Sequence, residues 1–307
     1  MRIIHDIDNL RTTGLAATIG FFDGVHLGHR FLLDDLKKAA AEENLPTAVI
    51  TFPKHPREVL QTNFKPKLIN SFEEKIAQLA TTGIDYCIVL EFTTQLAAMT
   101  AHEFITNILS KRLNVRLLYV GYDHRFGHNR AEGFEDYVAF GKECGMKVVR
   151  ASELDESDKA VSSSGIRKLI SSGQVDKAAE LLSYPYQLQG TVVSGHKIGR
   201  ELGFPTANLS LMKNGKEVPA NGVYAVRVTT DGKTYPGMLD IGNRPTFSDD
   251  KELSIEVNLI GFKGNLYNKS LSVAFVRRIR DDVTFDSPEA LKLQLEQDRI
   301  AALNILK

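Results

Sequence analysis

The first half of the chain alternates short apolar runs with longer segments of helical periodicity. The apolar runs predict strands over 16–19, 47–52, 86–90, 116–120 and 147–149. Two of the intervening helices are predicted to begin with a capping box, Ser71 with Glu74 and Thr100 with Glu103. Strands that alternate with helices are joined by right-handed crossovers into a parallel sheet covered on both faces. The pattern therefore predicts a doubly wound α/β domain.

The pattern changes from about residue 186. Short β-rich segments separated by Gly, Pro, Asn or Asp occupy 186–193, 223–229, 234–240, 254–259 and 271–276. Their spacing is typical of an antiparallel β-barrel. Ser287, Pro288 and Glu289 then predict one closing helix that runs to about residue 304. With a hinge near Ser183, the predicted domains are 1–184 and 185–307.

Length and composition agree with a globular protein of two domains. The 307 residues are 43% hydrophobic and 25% charged, which suffices for two cores. Because 38 basic and 38 acidic residues cancel, the charge does not indicate a nucleic-acid or membrane partner. We see neither a secretory signal nor an apolar run long enough to span a bilayer, and two isolated cysteines suit a reducing compartment. We expect a cytoplasmic protein; the sequence does not indicate its oligomeric state.

The densest motif is GFFDGVHLGH, which follows the first predicted strand and opens a helix predicted to begin near Arg30. A helix N-terminus favours a phosphate, and glycines let the backbone approach it closely. His26 and His29 can both donate to the oxygens of one phosphate. Two exposed loop histidines are the plain alternative, and zinc is another, although no nearby Cys/His set completes a tetrahedral site. The phosphate-binding candidates here are Gly20, Gly24 and Gly28.

Two later loops are further candidates, because ligands of open α/β sheets bind in the loops that follow strands. One is GYDHRFG over 121–127, where Asp123 can hold a polar group of a nucleotide or flavin. The other is SSSGIR over 162–167, where Ser163 and Ser164 offer donors to phosphate and Arg167 offers a forked cation. As isolated motifs, ordinary helix caps and a solvated arginine would explain the second loop equally well.

The second half carries a glycine-rich run, GTVVSGHKIGRELG, that leads into FPTANL. The run can wrap phosphates through backbone donors. Its candidate residues are Gly195, Lys197, Gly199 and Arg200. Thr206 and Asn208 supply hard oxygen donors that are separated by one residue, so an extended segment can turn both to the same side, as a Mg²⁺ site requires. A glycine-rich hairpin followed by an edge strand is the structural alternative.

Taken in order, these motifs resemble those of the bacterial bifunctional riboflavin kinase/FAD synthetase family. The resemblance also includes TFPKHP over 51–56, PANGVYAV over 219–226, IGNRPTF over 241–247 and DDVTF over 281–285. It implies a Rossmann-like nucleotidylyltransferase domain followed by a riboflavin kinase barrel, with ATP, riboflavin and FMN as substrates and Mg²⁺ as cofactor. Glu256 in SIEVN is then the general base for the ribityl hydroxyl. His26, His29 and Arg167 would act in adenylyl transfer.

The chain departs from the family pattern at several positions without losing a residue assigned to chemistry. Phe21 stands where Asn is usual, His124 where Phe is usual, and Asp240 where Asn is usual. Three alternatives to a working bifunctional enzyme are a riboflavin kinase with a weak or inactive adenylyltransferase, a transferase for another phosphorylated substrate, and a flavin-binding regulatory protein.

Overall fold

The computed structural model describes residues 1–61, 63–122, 124–128, 131–151, 161–195, 199, 202–244 and 252–307. These residues pack as two compact units, Met1–Ser163 and Ser164–Lys307. The division falls after Ser163, whereas the predicted domain boundary is after residue 184. The helical segment between these two positions therefore belongs to the second unit.

The first unit is an α/β structure. Its strands are β1 (Arg2–Ile4), β2 (Leu15–Ile19), β3 (Thr47–Thr51), β4 (Tyr86–Val89), β5 (Val115–Val120) and β6 (Lys147–Arg150). Its helices are α1 (Leu27–Glu42), α2 (Pro56–Leu60), α3 (Phe72–Ala80), α4 (Thr94–Ala98), α5 (Ala101–Glu103) and α6 (Phe134–Glu143), with a 3-10 turn at Ile7–Asn9 and a π-helical continuation of α5 at Phe104–Arg112.

All six strands pair in parallel, in the order β1-β4-β3-β2-β5-β6. Every residue of β2 is buried, and its side chains alternate between two cores. Leu15, Ala17 and Ile19 pack on one face of the sheet, whereas Ala16 packs on the other. The predicted parallel sheet covered on both faces is therefore confirmed. Because β3 and β5 lie on opposite sides of β2, the carboxyl ends of β2 and β5 border the topological switch point.

The second unit begins with two helices, α7 (Ser163–Ser171, whose first residue belongs to the first unit) and α8 (Val175–Leu182). Six strands follow: β7 (Gln187–Val193), β8 (Ala207–Leu211), β9 (Gly222–Thr230), β10 (Lys233–Arg244), β11 (Glu252–Leu259) and β12 (Ser270–Arg280). They close into an antiparallel barrel in the order β10-β11-β8-β7-β12-β9. The predicted antiparallel barrel is confirmed.

The last helix, α9 (Pro288–Leu306), closes the barrel. The Ser287 side chain caps it by accepting from Ala290 N at 3.2 Å. Ala302 and Leu306 pack in one apolar cluster with Phe204 and barrel residues. The helix predicted from Ser287 is therefore confirmed, and it ends two residues later than expected.

Most predicted elements are present, and the differences concern the start of α1 and the strands β1 and β8. Helix α1 begins at Leu27 rather than near Arg30, because His26 adopts an extended conformation and serves as the N-cap. Strand β8, which includes Asn208, was not among the predicted strands. Both predicted capping boxes are formed. No helix in the described ranges is long and apolar enough to cross a membrane.

Candidate functional sites

The loop between β2 and α1 has an unusual backbone. Phe22, Gly24 and Val25 have φ angles of 57°, 88° and 40°. A positive φ is rare for a β-branched residue, and it persists only where surrounding contacts enforce it. The Asp23 carboxylate supplies such contacts, because it accepts from Ile69 N at 3.0 Å and from Asn70 N at 3.2 Å. Val25 and Phe22 are themselves buried in the core.

This loop brings the two predicted histidines together at the start of α1. The His26 and His29 rings stack with centroids 3.7 Å apart and planes inclined by 23°. Gly28 lies between them, and a Cβ there would approach His26 Nδ1 to 3.3 Å and Val161 O to 3.4 Å. Glycine therefore leaves room for the stacked pair. The first-turn N–H groups of α1 and the histidines share one place at the carboxyl end of β2, as a phosphate site requires.

The surroundings of His29 favour its neutral form. Burial lowers the pKa of His29 well below 6.5, and the neighbouring His26, Lys75 and His124 lower it further. At neutral pH the His29 imidazole is therefore uncharged and can donate from one ring nitrogen. Its Nδ1 is buried without a hydrogen-bond partner in the described part of the chain.

Sequence reasoning missed Lys75 beside this site. Lys75 lies on α3 and is only 3% exposed. Its ammonium donates to Phe52 O at 2.8 Å and to Phe21 O at 3.0 Å. A lysine in an amphipathic helix ordinarily indicates the solvent face, so its sequence context carries no signal for this burial.

The other residues predicted for the first site are placed as follows. Ser163 Oγ donates to Asp23 O at 2.9 Å, so this serine is bound to the loop between β2 and α1, residues 20–26, which we call the histidine loop. Ser164 and Arg167 belong to the second unit, where Arg167 Nη2 donates to Ser164 Oγ at 3.1 Å. Gly20 directly follows β2 and is the first residue of the loop, and its N–H donates to Ile50 O at 3.0 Å. Asp123 lies outside the described residues.

A cavity of about 460 Å³ opens at the carboxyl end of β5. Its lining includes Tyr122, His124, Phe134 and Arg150. The Arg150 guanidinium lies 4.2 Å from the Tyr122 ring centroid and donates to Tyr122 O at 3.0 Å. The cavity thus combines aromatic surface with a fixed cation next to the predicted 121–127 loop.

In the barrel, three predicted residues converge. Glu256 on β11 lies directly opposite Asn208 on β8 in the antiparallel register. Thr206 precedes β8, and its Oγ1 donates to Glu256 Oε2 at 2.9 Å. Facing residues in such a register project to the same side of the sheet. A hydroxyl, an amide and a carboxylate therefore meet at one point of the barrel.

The glycine-rich run approaches this same point. A Cβ at Gly195 would lie 2.0 Å from Asn208 Nδ2, which means that the Asn208 amide packs on the Gly195 backbone. Gly199 O accepts from Phe204 N at 2.7 Å, so Gly199 itself lies against the segment before Thr206. Lys197 and Arg200 lie outside the described residues.

A cavity of about 560 Å³ adjoins Thr206. Apolar and aromatic side chains dominate its lining, with Val257, Leu259, Phe262 and Tyr267 among them. Such a lining with one polar edge suits a flat heterocycle attached to a polar chain.

Asp240 lies directly opposite Glu256 on the other side of β11 from Asn208. Burial raises the pKa of Asp240 to about 6, and the nearby Asp282 and Glu256 raise it as well, whereas Arg280 opposes the shift. The sequence indicated only that Asp240 replaces an Asn of the family pattern. Its proximity to the catalytic candidate follows from the register.

The donor set of the barrel fits Mg²⁺. This ion prefers hard oxygen ligands, and the Thr206 hydroxyl and the Asn208 amide oxygen are of that kind, with the Glu256 carboxylate adjacent. Among the described residues, no group of three or more His, Cys, Asp or Glu side chains is arranged to hold a metal.

Comparison with known proteins assigns both halves. A family model described as FAD synthetase matches residues 8–165, and one described as riboflavin kinase matches residues 182–306. A crystal structure described as a macrolide-efflux protein from Streptococcus pneumoniae is 32% identical, with a TM-score of 0.88 over 98% of each chain. It shares the fold; the efflux activity is stated of that protein alone.

Curated relatives cover nearly the whole chain. The bifunctional riboflavin kinase/FMN adenylyltransferase of Escherichia coli strain K12 is 36% identical over 303 residues, which are 98% of this chain and 96% of that protein. The enzyme of the same description from Pseudomonas fluorescens is 36% identical over 304 residues, 98% of this chain and 97% of that one. The chain therefore belongs to the bifunctional riboflavin kinase/FMN adenylyltransferase family.

Proposed function

We propose that this protein phosphorylates riboflavin to FMN with one ATP and then adenylylates FMN with a second ATP, giving FAD and pyrophosphate. The observation that carries the proposal is the pair of chemically different sites. Thr206, Asn208 and Glu256 converge in the barrel, while His26 and His29 stack at the carboxyl end of β2. The two attacks fall on different phosphorus atoms, so separate sites align them better than one.

In the kinase reaction, Glu256 acts as the general base. Its carboxylate takes the proton from the terminal ribityl hydroxyl while that oxygen forms a bond to the γ-phosphorus of ATP. The bond between the γ-phosphorus and the bridging oxygen breaks, and ADP leaves. The hydrogen bond from Thr206 occupies Oε2 and orients the carboxylate.

Thr206 and Asn208 would hold Mg²⁺. When bound, Mg²⁺ neutralises charge on the phosphate oxygens. The glycine-rich run would bind the phosphates, through the backbone near Gly195 and Gly199 and through the predicted cations Lys197 and Arg200. The cavity beside Thr206 would receive the adenine of ATP, because its apolar and aromatic lining suits a flat heterocycle.

The adenylyl transfer needs no strong base, because the FMN phosphate is already ionised near neutral pH. Its oxygen attacks the α-phosphorus of ATP, and the α–β bridging bond breaks to release pyrophosphate. We assign His26, His29 and the first turn of α1 to the α-phosphate, where they would offset the developing charge. Gly20, Gly24 and Gly28 allow this approach. The roles of Ser163, Ser164 and Arg167 on phosphate, and of Asp123 on the nucleotide or flavin, stay predictions.

Two further expectations belong to this proposal. The free thiols of buried Cys87 and half-buried Cys144 suit the reducing cytoplasm. The balanced charge of 38 basic and 38 acidic residues supports small-molecule substrates rather than nucleic acid.

Chromatographic analysis of the products tests the proposal. The purified chain is incubated with riboflavin, ATP and Mg²⁺, and in parallel with FMN, ATP and Mg²⁺. We expect FMN followed by FAD in the first reaction and FAD in the second. FMN without FAD in both would reduce the function to a riboflavin kinase. Flavin binding without either product would leave a regulatory protein.

A further inference from the structure

Lys75 connects two loops at the carboxyl ends of β2 and β3 in the parallel sheet. Its Nζ donates to Phe21 O in the loop after β2, to Phe52 O in the loop after β3, and to Thr51 Oγ1 at 3.3 Å. Thr51 Oγ1 in turn donates to Phe21 O at 3.2 Å. One buried side chain thus donates to a backbone carbonyl in each of two loops, and Phe21 O accepts from both Lys75 and Thr51. The first of these carbonyls lies five residues before His26.

Aromatic rings stabilise the charged form of Lys75. The Lys75 Nζ lies 4.1 Å from the Phe21 ring centroid and 5.5 Å from that of Phe72. Phe21 also contacts His55 edge to face, with centroids 4.8 Å apart. The ring at position 21, where the family pattern has Asn, therefore adds a cation–π contact that an amide would not provide.

The groups that face Lys75 come from several elements. Asp23 in the loop after β2 and Cys87 on β4 favour its charge, but burial dominates and lowers the pKa of Lys75 to about 8. The Cys87 thiol is neutral at physiological pH, because burial raises its pKa to about 11. On α1, His29 feels the Lys75 charge and is kept neutral by it in part. Below about pH 8, Lys75 therefore carries its charge next to the loop between β2 and α1.

We propose that Lys75 is a positioning residue for adenylyl transfer: it holds the loop that ends at His26, and with it the start of α1 that carries His29, to the end of β3. The proposal rests on the proposed function of the first unit. Lys75 does not touch the reacting atoms in this account; it acts through the carbonyls of Phe21 and Phe52. Its charged form binds these carbonyls more strongly than a neutral amine would.

The variant Lys75→Met tests the role with a side chain of similar length that cannot donate. We expect FMN adenylylation to fall about 10- to 100-fold, chiefly in kcat, because displacement of aligned groups by 1 Å costs that much. Riboflavin kinase activity of the same molecules serves as the internal control and should stay unchanged. Lys37→Met is the matched control variant, since Lys37 Nζ also donates to a backbone carbonyl, Thr82 O, at 2.9 Å. It should retain both activities.

The pH profile separates positioning from mere stabilisation. The kcat/KM for FMN adenylylation reports ionisations of the free enzyme. In the wild type it should fall as pH rises through about 8, the pKa of Lys75. Lys75→Arg should restore part of the lost activity and move the fall to higher pH, because a guanidinium keeps its charge. Phe21→Leu, which keeps the lysine and removes the cation–π contact, should move the fall to lower pH.

The outcomes are decisive in either direction. A folded Lys75→Met with wild-type FAD formation would overturn the proposal, as would equal losses of kinase and adenylyltransferase activity. If Lys75→Met does not fold, the pH profile decides instead. The proposal is then overturned if kcat/KM for FMN adenylylation falls at the same alkaline pH in the wild type and in Phe21→Leu. A wild type that forms no FAD from FMN would contradict the proposed function itself, which distinguishes the two failures.

Discussion

Thr206 Oγ1 donates a 2.9 Å hydrogen bond to Glu256 Oε2, although the two residues are 50 positions apart in the chain. The contact exists because β8 and β11 are neighbours in the barrel, with Asn208 opposite Glu256. A proposed metal ligand thereby fixes the orientation of the proposed base. Under the proposed assignment, metal binding and proton transfer in the barrel would depend on one another, and the first two predictions test this.

Replacing Glu256 by Gln should abolish most of the kinase activity. The amide keeps the size of the side chain but cannot accept the proton, so we expect kcat for FMN formation to fall by about 10²- to 10⁴-fold. Steady-state kinetics with riboflavin measures the loss, and FAD formation from added FMN should persist. Glu289→Gln, at an exposed glutamate of α9, is the control. A kinase that keeps its full rate without the carboxylate would remove Glu256 from the mechanism.

Replacing Asn208 by Ala should weaken the use of Mg²⁺. Loss of groups that merely orient metal ligands costs about 10- to 100-fold in affinity or activity, so loss of a direct ligand should cost at least about 100-fold. Titration of kinase activity with Mg²⁺ measures this, with the exposed Asn304→Ala as control. FMN adenylylation should be intact. If both reactions decline together, the assignment of Asn208 to the barrel site is wrong.

Replacing His29 by Ala should leave a riboflavin kinase that accumulates FMN. Removing one donor to a developing charge typically costs about 10²- to 10³-fold. Product analysis from riboflavin measures the ratio of FMN to FAD over time. His102→Ala is a matched control, since His102 is an exposed histidine of the same unit, bonded to Glu143 at 2.8 Å. Normal FAD output from His29→Ala would exclude the proposed role.

Replacing Asp240 by Asn should stabilise the barrel at neutral pH. The folded pKa of about 6 exceeds the ordinary value of 3.8, so the folded state binds more protons between these values. The stability that this proton contributes is present below about pH 4 and is lost as pH rises through 6. At pH 8 the variant should be about 1–3 kcal/mol more stable than the wild type. Urea unfolding at pH 4 and pH 8 measures the difference, which should shrink or vanish at pH 4.

Replacing Asp298 by Ala should destabilise the second unit strongly. Asp298 is 1% exposed, and Arg280 donates to both of its carboxylate oxygens, at 2.8 Å from Nη2 and 3.0 Å from Nε. Removing it leaves a largely buried guanidinium without its partner, which costs about 3–5 kcal/mol. Denaturant unfolding measures this loss.

The exposed pair of Lys269 and Asp231 provides the comparison for that experiment. Lys269→Ala should change the free energy of unfolding by at most about 1 kcal/mol, because exposed ion pairs contribute little. Equal effects of the two substitutions would show that burial does not govern the contribution of the Arg280–Asp298 pair.

The predictable parts of the fold are those with strong local patterns. Strands β2 to β5 are short apolar runs, and the capping boxes at Ser71 and Thr100 satisfy the first N–H groups of their helices locally. The start of α1 was misplaced by three residues, because His26 caps it without a side-chain hydrogen bond and therefore leaves no capping signal. Strand β1 has only three residues and pairs with a single neighbour, so its pattern is too short to recognise.

The amino-acid sequence by itself determined the two fold classes, the order of the motifs and the residue types available for phosphate chemistry. Local periodicity, capping and turn residues are enough for those conclusions. Only the tertiary structure decided that Glu256 receives the Thr206 hydrogen bond, that Asp240 lies beside it, and that Lys75 is buried under the histidine loop. These relationships depend on strand register and on burial between distant segments, and the energy of a charge depends on what surrounds it rather than on its neighbours in sequence.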